Sequence, residues 1–170
     1  MVEADLLSAT GRDAVLAAAQ ALGGLNCLIN AAGVNRFGLL EDQDDGAIAD
    51  LIGLNLTATV QLTARLLPLL QQADKALIVN VGSTFGSIGH PGFAAYCASK
   101  FALRGFSEAL RRELADTRVK VLYVAPRATR TAMNSTPVME MNAALSVAMD
   151  EPDAVAVLHQ AVEVDRLPVD

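Results

Sequence analysis

The sequence is poor in aromatic residues, in cysteine and in histidine. It has no tryptophan, and aromatic residues make up 4% of its 170 positions. The two cysteines, Cys27 and Cys97, provide neither a disulfide framework nor a metal-ligand spacing. The two histidines, His90 and His159, are too far apart in sequence to suggest a metal centre. We therefore expect no resident metal, and a reducing, cytoplasmic setting.

An excess of positive charge is also missing. The net charge is −6, with 13 basic and 19 acidic residues, and no basic patch marks a nucleic-acid-binding surface. No uninterrupted apolar run approaches the roughly 20 residues that a membrane span needs. The first eight residues, MVEADLLS, carry an acid where a secretory signal would carry Lys or Arg. We expect no nucleic-acid partner, no membrane span and no targeting segment.

Aliphatic residues dominate what is present, since 52% of the chain is hydrophobic. Three apolar runs predict buried strands, and four further stretches predict helices before, between and after them. Strand, helix and strand alternate, which indicates a parallel α/β sheet with right-handed crossovers. The first two strands lack alternation of polar and apolar residues, which favours coverage on both faces. The predicted strands are 25–29, 77–81 and 119–124, and the predicted helices are 13–22, 45–70, 93–115 and 151–163.

Small, polar and turn-forming residues follow each predicted strand. Asn30-Ala31-Ala32-Gly33 follows the first, Gly82-Ser83-Thr84 the second, and Pro126 with a threonine-rich loop to Thr131 the third. The carboxyl ends of parallel strands lie along one edge of a sheet, where open α/β folds bind ligands. The sequence therefore predicts the functional site at this edge.

Tyr96 and Lys100 are four residues apart on a predicted helix and share one of its faces. A nearby ammonium favours a phenolate and lowers the pKa of a tyrosine, which can then exchange a proton with an alcohol or carbonyl oxygen. Ser83 follows the preceding strand and could hydrogen-bond the same oxygen. Taken alone, the pair is more typical of an ordinary helix surface with a long lysine side chain.

Asn55 lies on a largely apolar face of the long second helix, three residues after Ile52 and seven after Ile48. A buried amide costs free energy unless it is hydrogen-bonded. Two interpretations stand at this point. Asn55 is either an ordinary satisfied core amide or a polar relay behind the Tyr96 and Lys100 pair.

Taken together, these motifs resemble the short-chain dehydrogenase/reductase family. The resemblance rests on the Asn-Ala-Ala-Gly turn at residues 30–33, on Asn55, and on the spacing of Ser83, Tyr96 and Lys100. It implies a Rossmann-like fold and a function in NAD- or NADP-dependent interconversion of an alcohol and a carbonyl. In such an enzyme Tyr96 is the general acid or base, Lys100 lowers its pKa and holds the nicotinamide ribose, Ser83 orients the substrate oxygen, and Asn55 holds a relay water.

The resemblance also implies cofactor-binding residues. Asp5 and Leu6 match the acidic dipeptide near the adenine, and the turn at 30–33 shapes the cleft beside the adenosine ribose. The loop after the third strand, with Thr131, approaches the nicotinamide carboxamide. The implied set is Asp5, Leu6, Asn30, Ala31, Ala32, Gly33, Tyr96, Lys100, Pro126, Thr129 and Thr131.

Two features depart from the family pattern. Arg127 stands where the family has a glycine after the proline. The glycine-rich loop that cradles the cofactor pyrophosphate at a helix N-terminus is missing. We therefore expect one Rossmann-like domain over residues 1–170, incomplete at both ends and equivalent to the central portion of a longer enzyme. The strand at 25–29 then becomes an edge strand, residues 2–4 have no strand to pair with, and cofactor binding is weak.

Two rival functions remain beside the oxidoreductase. One is a catalytically silent chain that serves as a binding or interaction module. The other is a nucleotide-sugar epimerase, which also uses a tyrosine and lysine pair but needs a larger C-terminal domain. The resemblance further implies a small-molecule substrate and a homo-oligomer formed through the helices at 45–70 and 93–115.

Overall fold

A computed structural model describes residues 2–127 of the chain. Within that range three parallel strands form one sheet, and their order in the sheet is their order along the chain. The first and third strands each pair with the central strand over their full length. The observed strands match the predicted ones to within two residues at each end, and the parallel α/β fold class is confirmed. The strands are β1 (Cys27–Asn30), β2 (Ala76–Val81) and β3 (Val119–Val124).

Helices precede and connect the strands. The predicted helix at 45–70 consists of three consecutive pieces, because a π-helical turn at Gly53–Ala58 interrupts the regular α-helix. Two short 3-10 turns, Leu40–Asp42 and Thr84–Gly86, lie in the loops that follow β1 and β2. The α-helices are α1 (Ala9–Ala21), α2 (Asp45–Ile52), α3 (Thr59–Leu70) and α4 (Ala94–Glu113).

The first helix begins four residues before the predicted start at residue 13. Ser8 is its N-cap, and the Ser8 side chain accepts a hydrogen bond from the backbone N–H of Gly11 at 2.9 Å. A serine cap satisfies an N–H group that the first helical turn would otherwise leave unpaired. The helix ends as predicted before Gly23, whose φ of 75° allows the chain to turn.

The helices pack against one face of the sheet, which we term the covered face. Leu28, Ile78 and Val121 occupy matching positions on the three strands, and all three are buried there. Side chains from α1, α3 and α4 complete a single aliphatic cluster with them. Its other buried members are Ala19, Leu62, Leu66, Leu70, Ala76, Leu110, Leu114 and Val119.

The opposite face, termed the bare face, is not covered by any helix of residues 2–127. Ile29 is 62% exposed and Cys27 is exposed, so the expected coverage of the first strand on both faces is wrong for the described part of the chain. The reason is topological, since α1, α3 and α4 all pack on the opposite side. As predicted, β1 is an edge strand, and residues 2–4 form no strand. The bare face carries Cys27, Ile29, Leu77, Val79, Val81, Lys120, Leu122 and Val124.

The helical run Asp45–Leu70 has the length and composition of a membrane-spanning helix, with a mean hydropathy of 1.3 over its most apolar window. Its leucines Leu51, Leu62, Leu66 and Leu70 are nevertheless buried inside the fold. A core helix of an α/β protein meets the same length and composition test, so a single helix of this kind is weak evidence for a membrane span.

Several predicted features lie outside the described residues. They are the cofactor residues Thr129 and Thr131, the helix at 151–163, and His159.

Candidate active site

The loop after β2 holds Ser83 at the carboxyl edge of the sheet. Ser83 caps the short turn Thr84–Gly86, because its hydroxyl accepts a hydrogen bond from the Phe85 N–H at 3.1 Å. The end of β3 fixes this loop on both sides of Ser83. The Gly82 N–H donates to the Val124 carbonyl at 2.7 Å, and the Thr84 N–H donates to the Pro126 carbonyl at 3.3 Å.

Tyr96 and Lys100 project from the first two turns of α4 towards Ser83. The Lys100 Nζ lies 5.7 Å from the centre of the Tyr96 ring and donates a hydrogen bond to the Val81 carbonyl at 3.1 Å. Hydrogen bonding from the Ser83 side chain acts on the Tyr96 phenol. The structure therefore brings Ser83, Tyr96 and Lys100, which are scattered over 18 positions of sequence, to the end of β2.

Burial shifts the pKa values of both ionisable groups away from the charged forms. Burial raises the pKa of Tyr96, while its hydrogen bond with Ser83 acts in the opposite sense. Burial lowers the pKa of Lys100 to about 8. The expected lowering of the Tyr96 pKa by Lys100 is not seen in this arrangement, because desolvation of the phenol dominates and the ammonium is bonded to Val81.

Asn55 lies in the π-helical turn and is 1% exposed. Its side chain forms a two-way bridge to the loop after β1: Oδ1 accepts from the Val34 N–H and Nδ2 donates to the Val34 carbonyl, both at 2.8 Å. Nδ2 also donates to the Ser99 hydroxyl at 3.1 Å, and that hydroxyl donates to the Tyr96 carbonyl at 2.7 Å. The amide is thus satisfied and links the β1 loop to the turn of α4 that carries Tyr96.

The π-helical turn is the local feature that sequence periodicity did not indicate. An apolar stripe with α-helical spacing continues through residues 45–70, so the sequence predicts one regular helix. π-turns widen a helix locally and often mark functional sites. Here the turn spans Gly53–Ala58 and contains the buried Asn55, which bonds outside its own helix.

Asn30 lines the small cleft that Leu6, Ala31 and Ala32 also line, but its side-chain amide is bonded within the fold. It is buried on the covered face, where Nδ2 donates to the Thr63 hydroxyl at 3.0 Å and to the Asn80 Oδ1 at 2.8 Å. Asn80 donates in turn to Ser107 at 2.9 Å. Sequence analysis missed this buried polar ladder, whose only signal was an asparagine at the matching position of each neighbouring strand.

Four of the predicted cofactor residues line one small cleft. Leu6, Asn30, Ala31 and Ala32 line a cavity of about 60 Å³ together with Ile29 and with residues of α3 and its preceding turn. Asp5 is exposed beside Leu6, and its carboxylate accepts the Leu7 N–H at 3.0 Å, which shapes the turn before α1. This volume holds about two water molecules, so the described residues form only part of a nucleotide site.

Gly33 connects this cleft with the Tyr96 region. A Cβ atom at residue 33 would lie 3.0 Å from the Asn55 Oδ1 and 3.8 Å from the Lys100 Nζ. A side chain here would therefore occupy the space beside the lysine ammonium. The turn at 30–33 runs from the small cleft to Lys100, and Pro126 approaches from the other side through its bond with Thr84.

Aromatic side chains are concentrated around Tyr96, although the chain has few of them. Phe93 is 1% exposed and lies 5.0 Å from Phe85 and 5.2 Å from Phe37, measured between ring centres. His90 stacks on Phe85 at 5.3 Å. This cluster has a weak signal in the sequence, since Phe85, Phe93 and Tyr96 follow one another closely in a chain with only seven aromatic residues. The cluster forms an apolar wall beside the phenol.

Metal chemistry finds no support in the part of the chain that the structure describes. Residues 2–127 contain no group of three or more His, Cys, Asp or Glu side chains that could hold a metal ion.

Comparisons with known proteins show what the chain is similar to. The profile of the family described as short chain dehydrogenase matches residues 1–142. Carbonyl reductase family member 4 of Xenopus laevis is 39% identical over 114 residues, which are 67% of this chain and 48% of that protein. Human 3-oxoacyl-[acyl-carrier-protein] reductase is 42% identical over 117 residues, or 66% of this chain and 47% of that protein.

A solved structure shows the same fold. A short-chain dehydrogenase from Streptomyces avermitilis superposes with a TM-score of 0.73 at 27% sequence identity, covering 97% of this chain and 75% of that chain. The chain spans about half the length of the curated relatives it matches.

Proposed function

The chain belongs to the short-chain dehydrogenase family, and from that premise we propose that its protein interconverts an alcohol and a carbonyl with NAD or NADP. The observation that carries the proposal is the convergence of Ser83, Tyr96 and Lys100 at the carboxyl edge of the sheet. Three residue types suited to one proton transfer meet there beside an apolar aromatic wall.

Tyr96 is the proton-transfer group in this proposal. Its phenol stays protonated at neutral pH, because burial raises its pKa, so it can donate a proton to a carbonyl oxygen during reduction. Ser83 hydrogen-bonds the same oxygen and orients it. When bound, the nicotinamide cofactor supplies or accepts the hydride.

Lys100 provides positive charge beside the phenol. With a pKa of about 8, its ammonium is largely protonated at neutral pH. That charge favours the phenolate left after proton donation, although in the present arrangement the Lys100 Nζ is bonded to Val81. Asn55 fixes the surrounding loops through Val34 and Ser99, and in the proposal it also supports a relay water.

The described residues fit part of a dinucleotide. Gly33 leaves open space beside the Lys100 ammonium, which suits a ribose hydroxyl, and the cleft at Leu6, Ala31 and Ala32 suits the adenosine end. Residues 2–127 offer no glycine-rich loop for the pyrophosphate. Charge-assisted hydrogen bonds to such a group contribute roughly 1.5–3 kcal/mol each, so we propose that the 170-residue chain alone binds the cofactor weakly.

Self-association through the two long helical runs is part of the proposal. A row of small residues on α4 faces outward. Ala94, Ala98, Ala102, Gly105 and Ala109 are all exposed, as is Phe101. Their exposure favours a contact between copies over packing on the sheet. We also propose a cytoplasmic location, which agrees with the two free cysteines.

A second candidate function is a catalytically silent interaction module. The bare face of the sheet favours it, because Ile29 and its neighbours form an apolar surface that residues 2–127 leave open. Cofactor binding distinguishes the two candidates, since an interaction module has no need of it.

The test begins with calorimetric titration of the chain with NADH and NADPH. In a version extended to the length of its relatives, turnover is then followed by nicotinamide absorbance with 3-oxoacyl thioesters and simple ketones. We expect Tyr96→Phe to lower turnover by roughly 100-fold or more while cofactor affinity stays within a factor of about two. Lys100→Met is expected to lower both turnover and cofactor affinity. Lys75→Met, at an exposed lysine, serves as its control and is expected to change neither.

Unchanged turnover in Tyr96→Phe would refute the assigned role. In a version extended to the length of its relatives, absence of any cofactor binding at millimolar concentrations, with a folded protein, would favour the interaction module instead.

A further inference from the structure

The Tyr123 side chain contacts the loop that carries Ser83. It lies opposite Asn80 in the register of β2 and β3, and its ring extends beyond the end of β2. A Cβ atom at Gly82 would lie 2.2 Å from both the Tyr123 Cζ and Oη atoms. A Cβ atom at Gly86 would lie 2.4 Å from the same Oη. The loop therefore has glycine on both sides of Ser83 where the phenol passes.

The Tyr123 hydroxyl contacts both polar groups of the Ser83 backbone. It donates to the Ser83 carbonyl at 3.4 Å and lies 3.5 Å from the Ser83 nitrogen, whose N–H it accepts. The Gly86 N–H also donates to that carbonyl, at 2.9 Å. A hydroxyl can donate and accept at once, so this one group contacts both polar groups of the Ser83 backbone.

The Ser83 side chain depends on this support for its position. Its hydroxyl already accepts the Phe85 N–H, which fixes its rotamer relative to the local backbone. Any displacement of the backbone of Ser83 therefore moves the hydroxyl relative to Tyr96. We propose that Tyr123 is a positioning residue, whose hydroxyl sets the placement of Ser83 and, through Ser83, the hydrogen bonding of the Tyr96 phenol.

The protonation state of Tyr123 suits this role. Burial raises the pKa of Tyr123 above its ordinary range, while Arg104 and the Ser83 backbone act against that shift and Glu108 adds to it. The phenol is therefore protonated at neutral pH and able to donate. The catalytic significance of this placement rests on the proposed function, but the placement itself does not.

The sequence makes a direct test possible, because Tyr96 and Tyr123 are its only tyrosines and it has no tryptophan. The full chain is labelled with carbon-13 at tyrosine Cζ, which gives two NMR resonances at neutral pH. The Tyr96 resonance reports hydrogen bonding at its oxygen. It is measured in four proteins: the parent chain, Tyr123→Phe, Ser83→Ala and the double variant.

We expect Tyr123→Phe to shift the Tyr96 resonance when Ser83 is present and to leave it unchanged in the Ser83→Ala background. If Tyr123 acted on Tyr96 directly, the shift of the Tyr96 resonance would be the same with Ser83 and with Ser83→Ala. A difference between the two shifts therefore measures the part that is transmitted through Ser83. Thr117→Val is the control. It removes a hydroxyl bonded at the opposite end of β3 and is expected to leave Tyr96 unaffected.

An equal shift in both backgrounds, or none in either, would overturn the proposal. The dispersion of the spectra shows that each variant is folded. Where turnover is measurable, Tyr123→Phe is expected to lower kcat about three- to tenfold with the KM for the cofactor unchanged, since the cofactor does not contact Tyr123 in this proposal. Failure of the chain to turn over would count against the proposed function alone, because the resonance shift does not depend on activity.

Discussion

The covered and bare faces of the sheet have similar aliphatic side chains and opposite environments. Ile78 on the covered face is fully buried, whereas Ile29 on the bare face is 62% exposed. The elements that carry the candidate site belong to the covered side: the π-turn with Asn55, and α4 with Tyr96 and Lys100. Within residues 2–127, three strands and one layer of helices thus bring these side chains together.

The bare face carries mostly aliphatic side chains of the kind found in protein interiors, but these side chains are exposed or only half-buried. Exposed aliphatic strand residues at a sheet edge favour association with other polypeptide segments. The covered face holds the buried aliphatic cluster of the described unit, and the bare face leaves Ile29 exposed.

The first way to test this comparison is a matched pair of substitutions. Ile78→Ala is expected to lower the free energy of unfolding by roughly 2–5 kcal/mol, because it leaves a cavity in the aliphatic cluster. Ile29→Ala is expected to change it by less than about 0.5 kcal/mol, since water already surrounds that side chain. Urea unfolding followed by circular dichroism gives both values.

A large cost for Ile29→Ala would show that the bare face is covered in solution. If that cost grew with protein concentration, a second copy of the chain would be the covering element.

The second comparison uses two lysines on opposite sides of the sheet. Lys100 is 5% exposed with a pKa of about 8, against a reference value of 10.5, whereas Lys120 on the bare face is exposed. Between about pH 8 and 10.5 the unfolded chain binds a proton that the folded chain has released. The folded state should therefore become more stable by roughly 1–3 kcal/mol as the pH rises through this window.

Unfolding measured from about pH 7 to 9.5 tests this expectation, because the raised pKa values of Tyr96 and Tyr123 act in the opposite direction only above about pH 10. Lys100→Met should abolish the rise, and Lys120→Met should preserve it. A rise that persists in Lys100→Met would assign the effect to another group.

The smallest expected effect concerns the two cysteines. Cys97 is 7% exposed and packs against Phe93, whereas Cys27 is exposed on the bare face. Cys97→Ala is expected to cost about 1 kcal/mol and Cys27→Ala close to zero. In the folded chain a thiol reagent should modify Cys27 at once and Cys97 only after unfolding. Protection of Cys27 would show that another polypeptide covers the bare face.

Much of the fold could be predicted because it depends on local patterns. Aliphatic runs located all three strands, and the caps and glycines at the helix ends limited the errors to a few residues. The largest error at a helix start is at α1, which begins four residues earlier than predicted because Ser8 caps it. The π-turn could not be predicted, because the apolar stripe keeps α-helical spacing through it, and its buried Asn55 bonds to Val34, which is distant in sequence.

The candidate site was predictable to a different degree for each residue. Ser83, Tyr96 and Lys100 have a distinctive spacing that resembles a known family, so their proximity could be expected. The direction of the shift in the Tyr96 pKa could not be expected, since it depends on how much of the phenol the fold buries. The inward orientation of Asn30 depends equally on its partner Asn80 in the neighbouring strand.

The sequence by itself determined the alternation of strands and helices, the parallel sheet and the set of polar residues at its carboxyl edge, because these follow from periodicity and from chain order. Only the tertiary structure decided which side chains those residues meet. Tyr123 illustrates the distinction, since nothing in its local sequence relates it to Ser83, 40 positions earlier. Strand register brings the two together, and register is set by the packing of a whole sheet face rather than by neighbouring residues.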